Sequence, residues 1–208
     1  MTLAGACLVS LALLGPSVIA ALTHRQTGHP ASDLGAQAAL CLLAAVALAG
    51  VLWLATPAAI GLTAPNWSTP LVALALAGFF TLVWGPVLHR LAPRLFDRGL
   101  AQLAPLGHRR ILLATLVGGT AEEVLYRCVG FGFLAAQTGM PLAAASVSIA
   151  AFAMAHVPLW GVRAAASFVV PAAILTAVYH WTGDLVALIV AHVVTDALGL
   201  SRTGRNRG

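Results

Sequence analysis

Apolar runs of membrane-spanning length follow one another along this chain with almost no charge inside them. Residues 34–54 contain no Asp, Glu, Lys or Arg at all. The hydrocarbon core of a bilayer takes roughly 20 residues of α-helix to cross, with about 17 as a lower limit. Seven runs meet that criterion: 3–22, 34–54, 71–88, 111–135, 141–157, 163–182 and 184–200. Each must pair its own backbone N–H and C=O groups, so each is read as a helix. The expected fold class is all-α, a polytopic transmembrane helical bundle of about seven spans. Composition agrees. With 60% hydrophobic and 8% charged residues, the chain lacks the charge that a water-facing surface needs.

The connections carry the topology. Eleven basic residues are present and all are arginine, so no lysine can act as a base or Schiff-base nucleophile. Arg25, Arg90, Arg94, Arg98, Arg109, Arg110, Arg163, Arg202, Arg205 and Arg207 fall on one side of seven alternating spans. By the positive-inside rule that side, with the C-terminus, is cytoplasmic. The net charge of +5 is therefore read as topology signals and contacts with anionic lipid, with no nucleic-acid partner. Residues 88–106 alternate leucines with Arg90, Arg94 and Arg98, a pattern for an amphipathic segment in the membrane surface or for a plain basic loop. Residues 1–110 are expected to hold the N-terminal helices and this basic segment. Residues 111–200 would form the polar core, and 201–208 a short basic tail. Cys7, Cys41 and Cys128 are scattered inside apolar runs and read as free buried thiols.

Against that background the polar residues within the spans are the functional candidates, because charge at bilayer depth is costly and rare. Two of only six acidic residues are adjacent, in Glu122-Glu123-Val124-Leu125-Tyr126-Arg127. Neighbours on a helix point about 100° apart. Glu123 and Arg127 are spaced i, i+4 with the acid first, the favourable order for an ion pair. Glu122 is then left to face the bundle interior, where a carboxylate suits a general base acting on water. An inert buried network is the alternative. The next run carries Phe152-Ala153-Met154-Ala155-His156, with Phe152 and His156 on one face, and the last carries His192-Val193-Val194-Thr195-Asp196. A helix-borne His/Asp pair can orient an imidazole, bind metal or donate to an oxyanion; it can also be a hydrogen-bonded helix contact. His180, between Tyr179 and Trp181 and near Asp184, reads as part of an aromatic belt.

Taken in order, these three motifs resemble the CPBP (CAAX protease and bacteriocin-processing, or ABI) family of intramembrane proteases, over about residues 111–200. The resemblance implies an all-helical bundle with a water-filled polar cavity, expected in a bacterial cell membrane. It implies a peptide or membrane-protein substrate, in peptide processing or self-immunity. Glu122 and His156 would activate water, His192 and Asp196 would stabilise the oxyanion, and Glu123, Arg127 and Phe152 would support the site. No cofactor is required by that scheme. A zinc-dependent form, with Glu122, His156, His192 and Asp196 as ligands, comes second because no H-E-x-x-H arrangement is present. The chain departs from the family pattern at Tyr126-Arg127-Cys128, where Phe-Arg-Gly is usual, and at Asp196, where asparagine is also common. A proton- or metal-coupled transporter and a non-catalytic membrane partner are the rivals from other classes.

Depth sets a difficulty. At about 1.5 Å per residue from the cytoplasmic ends, Glu122 lies roughly 17 Å deep, His192 about 12 Å and His156 about 3 Å. Straight spans with these boundaries cannot gather one site. A helix break at Gly118-Gly119 is therefore expected, with Thr120 as N-cap and Glu123 in the capping-box position.

Overall fold

A computed structural model of the chain describes residues 1–27, 34–103 and 106–205. These residues form helices, turns and bends, with no strand among them. Helix α1 is Leu3–Thr27 and α2 is Leu34–Leu54. After a 3-10 turn at Ala58–Ile60, α3 runs over Thr69–Leu91 with a π-helical turn, Phe80–Trp84, inside it. Helix α4 is Asp97–Leu103. Helix α5 continues without interruption through α-helical His108–Glu122, π-helical Glu123–Phe133 and α-helical Leu134–Thr138. Then come α6 (Pro141–Ala155), α7 (Val157–Trp160), α8 (Val162–Thr182) and α9 (Leu185–Arg205).

Two glycines make the hairpins that set the frame. Gly139 and Gly183 end α5 and α8 with φ of 67° and 64°, the left-handed conformation that β-carbons resist. Their N–H groups close on Ala135 O and Tyr179 O. Pro141 then opens α6 in its first turn, where a missing N–H costs nothing. Asp184 opens α9: its Oδ1 accepts from Ala187 N at 2.9 Å and its Oδ2 from Thr69 Oγ1 at 2.5 Å. That buried carboxylate caps α9 and ties it to α3, a role the aromatic-belt expectation for this stretch did not include.

The π-helical segment of α5 is the centre of the bundle. All eleven of its residues are buried, and α1, α2, α6, α8 and α9 pack around it. Small residues permit this approach. A β-carbon on Gly130 would lie 2.8 Å from Leu13 Cδ2, and one on Gly132 would meet Ile60 O and the Tyr179 ring. The outer surface is apolar, with Leu14, Leu42, Leu74 and Leu142 exposed, as a lipid-facing surface requires. Among the described residues four helices are long and apolar enough to cross a membrane: Leu3–Gln26, Leu34–Leu54, Thr69–Leu91 and Val162–Thr182. Pro141–Ala155 and Leu185–Leu200 are shorter apolar helices, and α5 carries the buried charges. The protein is an integral membrane helical bundle. Trp53, Trp67 and Trp181 are exposed at one end of it, an aromatic belt; the arginine-rich connections lie at the other.

Several expectations are corrected. The break at Gly118-Gly119 does not occur: both glycines lie inside α-helical His108–Glu122. A β-carbon on Gly119 would stand 3.1 Å from Val193 Cγ2, so this glycine lets α9 approach rather than stopping α5. The irregularity lies just beyond, as the π-helix beginning at Glu123. The depth difficulty disappears for a different reason. Glu122 lies 17 residues before Gly139 and His156 lies 17 after it (139 − 122 and 156 − 139). At about 1.5 Å per residue the two arms of this hairpin bring them level. Helix α6 simply ends at the depth of Glu122, well short of the end of the bundle where α5 begins.

Residues 23–27, expected as loop, continue α1, and 28–33 lie outside the described residues. The tail expected from 201 continues α9 to Arg205, and 206–208 lie outside the described residues. Within 88–106, α4 packs on α7: Arg98 Nη2 donates to Pro158 O at 3.3 Å, and Phe96 meets Trp160 edge-on at 5.7 Å. Residues 104 and 105 are not described. Of the three thiols, all free, only Cys128 is buried; Cys7 and Cys41 are on the outer surface.

Candidate active site

Four elements place the polar residues. Helix α5 contributes Glu122 at the last α-helical position and Glu123 at the first π-helical one. Helix α6 ends on His156, α8 places Phe168 beside it, and α9 brings His192 and Asp196. The wider π register turns Glu123 and Arg127 inward together. Glu123 is wholly buried and Arg127 is 1% exposed, and Arg127 Nη1 stands 3.3 Å from Glu123 Oε1. The guanidinium also lies over the Phe152 ring, 4.6 Å from its centroid, a cation–π contact out of water.

The Glu123–Arg127 pair expected from spacing is thus present, but Glu123 does more than balance Arg127. Its Oε1 also accepts from His192 Nδ1 at 2.6 Å. Asp196, one turn along the same helix, was expected to stabilise the oxyanion with His192, and orienting the imidazole was one option open to such a pair. Instead Asp196 lies on the other side of the ring, with Oδ2 3.5 Å from Nε2 and 48% of its side chain exposed. A carboxylate can only accept, so His192 carries a proton on Nδ1 and turns Nε2 toward Glu122, 3.6 Å from Oε2. His156 is set by the same logic. Its Nδ1 is 2.8 Å from Phe152 O, a carbonyl that can only accept, and its Nε2 stands 3.9 Å from Glu122 Oε2.

Aromatic rings fix these imidazoles. Phe152 has His156 at 4.5 Å and His192 at 6.2 Å between centroids, and Tyr126 edge-on at 5.2 Å. Phe168 closes the far side of His156 at 4.6 Å. Nothing in the residue spacing marked Phe168, because it reaches the site from α8 without a polar partner. Ser148 Oγ donates to Tyr126 O at 2.6 Å, giving the π-helix a partner for one of its carbonyls and holding α6 on α5.

Glu122, His156 and Asp196 line a cavity of about 190 Å³ that continues between α1, α2, α4, α5, α7 and α9. The oxygen–nitrogen gaps of 3.6 and 3.9 Å are too long for direct hydrogen bonds and suit a single bridging water. Zinc would draw its nitrogen and oxygen donors to about 2 Å from one point. Among the described residues no group of three or more His, Cys, Asp or Glu side chains is arranged to hold a metal ion.

Residues 106–198 match the family model described as type II CAAX prenyl endopeptidase, Rce1-like. The match covers a little under half of the chain and includes Glu122, Glu123, Arg127, Phe152, His156, His192 and Asp196. Comparison with curated proteins and with solved structures gives no match. Over residues 106–198, then, the chain is similar to the type II CAAX prenyl endopeptidases, the likeness that its three motifs carry.

Proposed function

We propose that the chain hydrolyses peptide bonds by direct attack of water, with Glu122 as the general base. The observation that carries this reading is the position of Glu122 Oε2, 3.6 Å from His192 Nε2 and 3.9 Å from His156 Nε2. Glu122 takes a proton from the water as the water oxygen bonds to the substrate carbonyl carbon. The carbonyl π pair moves onto oxygen. When the C–N bond breaks, the proton on Glu122 passes to the leaving nitrogen. His156, its Nδ1–H committed to Phe152 O, offers the Nε2 lone pair to the second hydrogen of the water.

His192 faces the same space and would donate Nε2–H to the oxyanion. That role asks for the doubly protonated ring, with Glu123 facing Nδ1 and Asp196 facing Nε2. Glu123, Arg127 and Phe152 hold the imidazoles in place and touch no reacting atom. The substrate is a peptide or a membrane-protein segment, since the cavity lies inside the bundle.

Cleavage of candidate peptides by purified wild-type protein, Glu122→Gln and His156→Ala, with and without chelator, tests the assignment. We expect both variants to lose about 100-fold or more in kcat/KM and the chelator to leave the wild type unchanged. Full activity in Glu122→Gln would overturn the base assignment. Chelator-sensitive activity restored by zinc would favour a zinc form of the same enzyme with these side chains as ligands.

A further inference from the structure

One wall of the catalytic cavity has no part in the chemistry just described. Beyond Glu122, His156 and Asp196, the lining is apolar except for a few groups. Thr115 is one, and its hydroxyl already donates to Ile111 O at 2.8 Å. Gln37, on α2, is another. Its Oε1 is out of solvent contact, and no group among the described residues donates to it. The carboxamide oxygen faces Gly118, where a β-carbon would stand 4.0 Å away. Gly118 lies one turn before Glu122 on the same face of α5, and with no side chain there the Gln37 carboxamide has room to turn toward the cavity that Gln37 lines. Gln37 also lines a second cavity of about 240 Å³ between α2 and α5, so it stands where the two spaces adjoin.

A peptide in this cavity brings backbone N–H groups that have left water and need acceptors. A carboxamide offers one acceptor and two donors on adjacent atoms, the complement of a peptide group. One helical turn, about 5.4 Å, separates Gly118 from Glu122 along α5, and an extended peptide advances about 3.3 Å per residue. We infer that Gln37 is a substrate-binding residue whose carboxamide hydrogen-bonds the peptide main chain about two residues from the scissile bond. It lies outside the family-matched residues 106–198, so the N-terminal helices supply part of the substrate site. The inference rests on the peptidase reading above.

The test compares wild type with Gln37→Leu on one cleaved peptide and on versions N-methylated at a single amide. Leucine suits a membrane helix, so the variant keeps the fold; its thermal unfolding in detergent is measured alongside. Gln37→Leu should lower kcat/KM for the parent peptide about tenfold, mainly through KM. N-methylation about two residues from the cleaved bond should cost the wild type a similar factor and the variant nothing further. Equal kcat/KM of variant and wild type on the parent peptide would overturn the inference. So would equal further losses at every methylated position together with a lower unfolding temperature, the mark of a packing residue. If wild-type protein shows no Glu122-dependent cleavage, the peptidase reading falls and this inference with it.

Discussion

At the scale of residues, Glu123 is the hinge of the site. It balances Arg127 on its own helix and holds His192 on another, both through Oε1. Removing one member of a buried ion pair strands the other, at about 3–5 kcal/mol; replacing both with apolar residues is often close to neutral. Glu123→Ala should therefore be strongly destabilised in thermal unfolding. Glu123→Leu/Arg127→Leu should recover most of that loss yet stay inactive on peptides, because His192 Nδ1 has lost its acceptor. An active double variant would show that Asp196, not Glu123, orients the imidazole. The i, i+4 spacing made the Glu123–Arg127 pair readable in the sequence. The Glu123–His192 bond joins residues 69 apart, and no local pattern encodes it. Asp184 was readable in principle: a glycine that stops α8, then an aspartate three residues before Ala187, is a helix-capping arrangement.

At the scale of elements, hydropathy located the spans because apolar length is what the membrane demands. The boundaries of α2 coincide with its apolar run of 34–54. Helix ends and irregularities were harder to read. The π-helix at Glu123–Phe133 leaves no compositional mark; its cause is packing on five neighbouring helices. Glycine was read as a helix breaker at 118–119, whereas α5 uses glycines as contact surfaces.

That distinction is testable in unfolding experiments. A β-carbon added at Gly118 would meet only Gln37 Oε1, at 4.0 Å, whereas one at Gly132 would press on Ile60 O and Tyr179. Gly118→Ala should be neutral or stabilising by up to about 1 kcal/mol, through reduced freedom of the unfolded chain. Gly132→Val should cost about 1–3 kcal/mol or more by overpacking. A large loss in Gly118→Ala would instead mean that α5 needs flexibility there.

At the scale of the whole molecule, charge and aromatic residues divide the bundle. Exposed Trp53, Trp67 and Trp181 belong to one end, and the arginine-rich connections to the other. Glu122 and His156 meet between these ends because the turn at Gly139 makes two arms of equal length, and α9 brings His192 to them. That symmetry was hidden as long as each span was measured from a membrane surface. The three motifs lie within residues 106–198, the part similar to the CAAX endopeptidase family model, while the cavity they line is completed by α1, α2 and α4 from outside that region.

The central claim is that one water, held by Glu122 and His156, attacks a peptide carbonyl whose developing oxyanion faces His192, with no covalent enzyme intermediate. Cleavage over many turnovers in ¹⁸O-labelled water, followed by mass spectrometry of product and protein, tests it most directly. The account predicts label in the new C-terminal carboxylate of the product and none in the side chain of Glu122. Label appearing in Glu122 would mean that its carboxylate had attacked the peptide itself, and would contradict the account.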